Sequence, residues 1–171
     1  KGLWETVAAF RQVADKRTDV ELDVVSCDIP GTLLEEMAKC SRIKLHNQLT
    51  PREECLQMMR ESDVVVLPTH AETIGTVLVE GMARRCAAIT CDYEPMNEVV
   101  PDGMVGFTVA RGDSRALAEK MCLLAQDRAL LGRMQENARN KYLETYAVDV
   151  VVPKLINAYQ EAFERWKGSG S

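Results

Sequence analysis

Two carboxylates frame the stretch of this chain best suited to chemistry. Glu72 and Glu80 stand with seven residues between them in Pro-Thr-His-Ala-Glu-Thr-Ile-Gly-Thr-Val-Leu-Val-Glu-Gly-Met-Ala, residues 68–83. On one continuous helix they would lie about 12 Å apart. That exceeds the roughly 5–9.5 Å of a glycosidase carboxylate pair, and suits hydrogen bonds to hydroxyl groups at two points of an extended ligand. Glu80 sits among Val77, Leu78, Val79 and Met82. An unpaired carboxylate is costly in an apolar run, which favours a ligand role over a solvated helix face. Gly75 permits close approach of a ligand to a helix start, with Ile74, Gly75 and Thr76 presenting N–H donors; simple capping is the alternative. His70 is a candidate donor or general base in the same loop, although a lone loop histidine is usually neither.

These residues need a strand and a helix to hold them. The apolar run at 64–67 and the amphipathic stretch at 75–84 supply both, placing the loop at the carboxyl edge of a sheet, where α/β proteins hold phosphorylated ligands. Elsewhere helix and strand alternate. Helical spacing runs through 2–16, 51–60, 114–126, 128–145 and 149–167, and strands are expected at 20–27, 42–46, 87–91 and 106–110, with a short turn at 97–100. Thr32 is expected to cap a helix over 32–41 with Glu35 in the capping-box position, and Asp113 or Ser114 to cap the helix at 114–126. The second cap discounts Arg111-Gly112-Asp113 as an adhesion motif. Strands separated by helices of this length imply βαβ units and a Rossmann-like, doubly wound parallel sheet in an α/β fold.

Composition sets the bounds. The chain has 171 residues, 46% apolar and 27% charged, with net charge −5. That is globular composition for one domain, expected at 1–167, with 168–171 reading as a linker or tag remnant. An acidic chain has no broad attraction for nucleic acid, so any phosphate site must be local. No run approaches the length of a spanning helix. The six cysteines form no C-x-x-C pair, which argues against zinc and points to buried, reduced thiols in a cytoplasmic protein. No G-x-G-x-x-G or G-x-x-x-x-G-K-[ST] loop is present, so dehydrogenase and P-loop readings lack their signature.

One feature is awkward. A doubly wound domain has its first strand at the centre, yet this chain opens on a helix. Under the order 3-2-1-4-5-6, the strands near 20–27 and 64–67 would flank an empty central position, leaving two rows of backbone polar groups unpaired. We expect another polypeptide segment to fill that slot, or the chain to be a truncated or split part of a larger protein.

Together the segments resemble one family. Asp63-Val-Val-Val-Leu-Pro-Thr followed by Glu72-Thr-Ile-Gly-Thr-Val-Leu-Val-Glu80-Gly-Met-Ala is similar to the signature of family 4 retaining glycosyltransferases of the GT-B fold. Ala87-Ala-Ile-Thr with Asn97-Glu-Val-Val, Asp102-Gly-Met-Val-Gly-Phe-Thr-Val and Arg111-Gly-Asp-Ser-Arg-Ala-Leu-Ala resemble its later segments. The resemblance runs from Lys1-Gly2 to about Trp166. It implies the C-terminal, donor-binding half of a two-domain enzyme that transfers a sugar from a nucleotide diphosphate without a metal or other cofactor.

By position it implies that Glu80 holds the donor's ribose hydroxyls and Glu72 lies by the transferred sugar. Ile74, Gly75, Thr76 and Val77 would meet the sugar and diphosphate. Lys1 would neutralise the leaving group with an arginine that this chain lacks, and Asn47 and Gln48 would meet the base. His70 has no secure counterpart and joins the donor-binding set from its loop position. The implied partners are a nucleotide sugar and an N-terminal acceptor domain or complementary segment; peripheral membrane association of a full enzyme stays open. Thr73 replaces the family's usual glycine, Ile74 its usual aromatic, and the loop Tyr93-Glu94-Pro95-Met96 lacks its glycines. These departures keep a second reading alive, a noncatalytic GT-B-like binding or regulatory subunit. A third reading, a GT-B epimerase, is disfavoured because the features of that family are absent.

Overall fold

A computed structural model of the chain describes residues 2–26, 29–46 and 50–168. The elements alternate as the periodicity implies: α1 (Leu3–Ala14), β1 (Leu22–Val25), α2 (Gly31–Ala38), β2 (Ile43–His46), α3 (Arg52–Glu61), β3 (Val64–Leu67), α4 (Thr76–Met82), β4 (Ala87–Cys91), α5 (Met96–Val99), β5 (Gly106–Val109), α6 (Ser114–Gln126) and α7 (Arg128–Lys141). A π-helical turn over Tyr142–Tyr146 then leads to α8 (Val148–Gly168).

Every strand pair is parallel, so the fold is the expected doubly wound α/β arrangement. Ala87, Ala88, Ile89, Thr90 and Cys91 of β4 are all buried, because the strand is paired on both edges and covered on both faces. Side chains alternate across a strand. Ala87 and Ile89 join one core with Val13, Phe107, Leu117 and Leu131, while Ala88 joins the opposite core with Leu78, Met82, Met96 and Val105. A third cluster, Val7, Val24, Leu33 and Met37, lies beneath β1 and β2. Because α1 supplies Val7 to the third cluster and Ala9 and Val13 to the first, it ties the two parts of the sheet together.

The ladder is interrupted where the sequence implies it. β1 pairs with β2 and β3–β4–β5 run in that order, with no pairing between β1 and β3 among the described residues. The Asp63 carbonyl accepts from the Ala87 N–H at 3.0 Å. Backbone polar groups alternate sides along a strand, so Asp63, Val65 and Leu67 face β4 whereas Val64 and Val66 face the opposite edge. Likewise Leu22 donates to the Arg42 carbonyl at 2.9 Å, which turns the N–H groups of Asp23 and Val25 away from β2. All four side chains of β3, apolar though they are, stay half-buried.

Some expectations need correction. Thr32 does not cap α2: the helix starts one residue earlier, at Gly31. Pro30 (φ −58°) stands at the cap and its carbonyl receives the Leu33 and Leu34 N–H groups at 2.9 and 3.1 Å; its ring presets the entry to the helix. Asp113 does cap α6, accepting from the Ala116 N–H at 2.8 Å. Of the five free cysteines among the described residues, only Cys86 and Cys91 are buried. Cys40, in the turn after α2, Cys55 of α3 and Cys122 of α6 are half-buried, and Cys122 packs against the first core. α8 extends through Gly168 and buries no residue. No helix among the described residues is long and apolar enough to cross a membrane.

Candidate functional site

The loop from Pro68 to Gly75 is a built structure. Thr69 is fully buried; its N–H donates to the Leu67 carbonyl at 2.8 Å and its hydroxyl to the Ala71 carbonyl at 3.2 Å. The buried Thr90 hydroxyl, from β4, also donates to the Leu67 carbonyl at 2.8 Å. Two glycines then let backbone come close. Gly75 takes φ +62° to start α4, and a Cβ there would meet Leu78 Cδ1 at 3.1 Å and Leu67 Cδ2 at 3.3 Å. Gly2 takes φ +68° to start α1, and a Cβ there would lie 1.9 Å from the Pro68 carbonyl oxygen. Only glycine allows that contact. It sets the start of α1 against the start of the loop.

The first N–H groups of an α-helix have no acceptor within the helix. The N–H groups of Leu3, Trp4 and Glu5 therefore lie uncommitted to the ladder of α1 beside this loop, while Thr6 is the first to close it, onto the Gly2 carbonyl at 3.0 Å. His70 joins the two elements, its Nε2 at 3.0 Å from Glu5 Oε1. Ile74 and Thr76 are exposed at the loop's end, and Val77 packs against the core beneath.

Glu80 sits one helical turn farther on. Its carboxylate accepts from Arg52 Nη2 at 2.6 Å, which answers the cost of a carboxylate in an apolar run. Glu80 is 28% exposed against 72% for Arg52, so a surface guanidinium reaches over a half-buried acid. The pair joins α4 to the first residue of α3, and the Glu80 carbonyl also accepts from Arg84 Nη1 at 2.9 Å.

On the other side of Glu72 opens a cleft of about 610 Å³ lined by His70, Glu72, Thr73, Tyr93, Glu94 and Arg111. It collects the loops after β3, β4 and β5. The Arg111 guanidinium lies 3.9 Å from the centre of the Tyr93 ring. The structure thus brings Glu72, His70, Ile74, Gly75, Thr76 and Val77 onto one loop and helix start, with Glu80 on the same helix. Lys1, Asn47 and Gln48 lie outside the described residues. Among the described residues no group of three His, Cys, Asp or Glu side chains could hold a metal ion.

Glu5, Arg52, Tyr93 and Arg111 are additions that local sequence does not reveal. Glu5 lies 65 residues from His70 and Arg52 28 residues from Glu80. Only the fold joins them.

A family model described as glycosyl transferases group 1 matches residues 1–127. The chain belongs to that family. This glycosyltransferase chain is 24% identical over 98% of its length to the capsular polysaccharide biosynthesis glycosyltransferase CapM of Staphylococcus aureus, covering 45% of CapM. Its fold matches the C-terminal domain of a group 1 glycosyl transferase, LpcC, from Francisella tularensis, with a TM-score of 0.80 and 23% identity over 86% of this chain and 80% of that one. It also matches HepE of Anabaena, solved with UDP-glucose, with a TM-score of 0.82 and 20% identity over 94% of this chain and 45% of HepE. The architecture is that of one half of a GT-B fold. The chain covers 19–45% of the length of the curated relatives it matches.

Proposed function

We propose that residues 1–167 of this glycosyltransferase chain bind the nucleotide-diphosphate sugar donor, for retaining, metal-independent hexosyl transfer to an acceptor held by a separate domain. The observation that carries the proposal is the contact of Gly2 with Pro68, which sets the uncommitted N–H groups of α1 beside the Glu72 loop. A diphosphate there meets aligned backbone donors in a partly desolvated place, and Lys1 precedes the same helix in sequence. As the bond from sugar to phosphate breaks, these groups stabilise the charge gathering on the leaving diphosphate.

Glu80 accepts from the ribose hydroxyls, with Arg52 holding its carboxylate. Glu72 and His70 meet the transferred sugar, the backbone of Ile74, Gly75, Thr76 and Val77 spans sugar and diphosphate, and Asn47 and Gln48 meet the base. HepE, with the same fold, holds UDP-glucose, which makes uridine diphosphate sugars the first donors to try.

Two features support a further domain and a complementary strand. The slot between β1 and β3 presents backbone donors on both sides. α8 presents Val148, Leu155, Ile156, Tyr159 and Phe163 to solvent, 50–69% exposed, at spacings that make one apolar stripe. Stripes of that extent mark surfaces that another chain segment covers.

Thermal shift with UDP-, GDP- and ADP-glucose tests donor binding; saturation at about 100 times Kd raises stability by about 2.7 kcal/mol. Glu80→Ala should weaken the responding donor about tenfold or more, the worth of hydrogen bonds to a charged group. Unchanged affinity would remove Glu80 from the ribose site. A protein that binds donor but never transfers it, even with its acceptor domain, would support the noncatalytic reading that Thr73 and Ile74 motivate. The anomeric configuration of any product, read by NMR, decides retention.

A further inference from the structure

Among the described residues that line the cleft beside Glu72, Arg111 is the one arginine or lysine, and the donor reading above gives it no task. Among the described residues, every arginine except Arg111 and Arg133 gives its guanidinium to a carboxylate, carbonyl or amide oxygen. Arg111 is engaged differently: it stacks on Tyr93, 3.9 Å from the ring centre. The contact restrains the guanidinium over the ring face and takes up none of the oxygen acceptors that the other arginines use. An edge held in this way is prepared for a planar or tetrahedral oxyanion, which it can grip through two parallel hydrogen bonds.

The surroundings sharpen the selection. Glu72 and Glu94 line the same cleft; carboxylates suit sugar hydroxyls and disfavour anions near them, whereas the Arg111 guanidinium favours an anion. Tyr93 itself is anchored, half-buried against the core of Leu78, Met82 and Met96. The three loops arise from the ends of three adjacent, mutually paired strands, so the distance from Glu72 to Arg111 is set by the sheet.

We propose that Arg111, stacked on Tyr93, is a specificity residue whose guanidinium binds a carboxylate or phosphate ester carried by the transferred sugar or by the acceptor. The proposal rests on the reading of this loop as the sugar end of a nucleotide-sugar site. A neutral hexose would leave that edge to water, whereas a uronic acid or a phosphorylated acceptor would fill it.

The first measurement follows the Arg111 Nε–H resonance of the labelled protein during titration with glucuronate, glycerol 3-phosphate and, as neutral counterparts, glucose and glycerol. A saturable shift with one or both anions and none with the neutral compounds is expected. In Arg111→Met the anion affinity should fall about ten- to a hundredfold, as for loss of a charge-assisted bond, and Arg111→Lys, lacking the planar fork, should recover only part of it. A preference for UDP-glucuronate over UDP-glucose that vanishes in Arg111→Met assigns the anion to the donor. Equal donor affinities with a glycerol 3-phosphate response assign it to the acceptor. The proposal is overturned if neither anion moves the resonance, or if Arg111→Met binds the anions as wild type does. Failure of the donor reading shows separately, as an absence of nucleotide-sugar binding or its indifference to Glu80→Ala.

Discussion

Gly2 shows how one missing methyl group can position a site. Its Cβ would collide with the Pro68 carbonyl oxygen, 1.9 Å away, and its φ of +68° lies in the left-handed region. Gly2→Ala should therefore cost about 2 kcal/mol or more from the conformation and the clash together, and should weaken donor binding beyond the loss of stability by moving α1 off the loop. Chemical denaturation and donor titration of the same variant separate the two effects. Cys86 makes a second residue-scale case. Its burial, with the nearby Asp63 charge, pushes the thiol up to about 11. Between about pH 9 and 11 the unfolded chain loses this proton before the folded one, so the thiol's stabilisation is complete below pH 9 and is lost as pH rises toward 11. Lys141 acts in the opposite sense, because burial lowers its pKa. The comparison should therefore be wild type against Cys86→Ala: urea denaturation at about pH 8 and 10.5 should show wild type losing on the order of 1–2 kcal/mol more than the variant across that interval.

At the scale of elements, buried and exposed apolar stripes carry different loads. Leu117 of α6 is 1% exposed in the core beside Val13 and Phe107, and Leu117→Ala should cost about 2–5 kcal/mol. Leu155→Ala and Phe163→Ala on α8 remove equal or larger side chains, yet each should change the stability of this chain by less than about 0.5 kcal/mol, as at exposed positions; denaturant melts of the three variants make the comparison. A cost above 1 kcal/mol at either α8 position would mean the stripe is already packed. The two helices were also legible to different depths. The Asp113 cap and the helical spacing over 114–126 are local signals, so α6 is bounded by residues in and beside the helix. The stripe on α8 was equally periodic, but no local pattern says what covers it. α2 starts one residue earlier than a Thr32 cap would imply, because Pro30 competes with Thr32 in sequence and its ring decides the entry. For Glu5, Arg52 and Arg111 the deciding partners are remote, and nothing near them in sequence announces a site.

For the whole molecule the telling feature is a sheet in two pieces held by α1. Its parallel order and the gap were both legible from the alternation of elements, since right-handed βαβ crossovers leave few alternatives. What the alternation could not supply is which backbone groups face the gap, and the register now identifies them: Asp23 and Val25 on one side, Val64 and Val66 on the other. Amide exchange offers a direct test. In this chain alone the Val64 and Val66 amides should exchange far faster than those of Ala88 to Cys91, which lie in the doubly paired β4, while Val65 and Leu67, facing β4, should be intermediate. Addition of a complementary polypeptide that supplies a parallel strand should slow Asp23, Val25, Val64 and Val66 together, because one inserted strand pairs with both edges at once. Slowing on one edge only would mean that the polypeptide adds to an outer edge without joining the halves. Protection of Val64 and Val66 before any addition would show that the gap is already closed in solution.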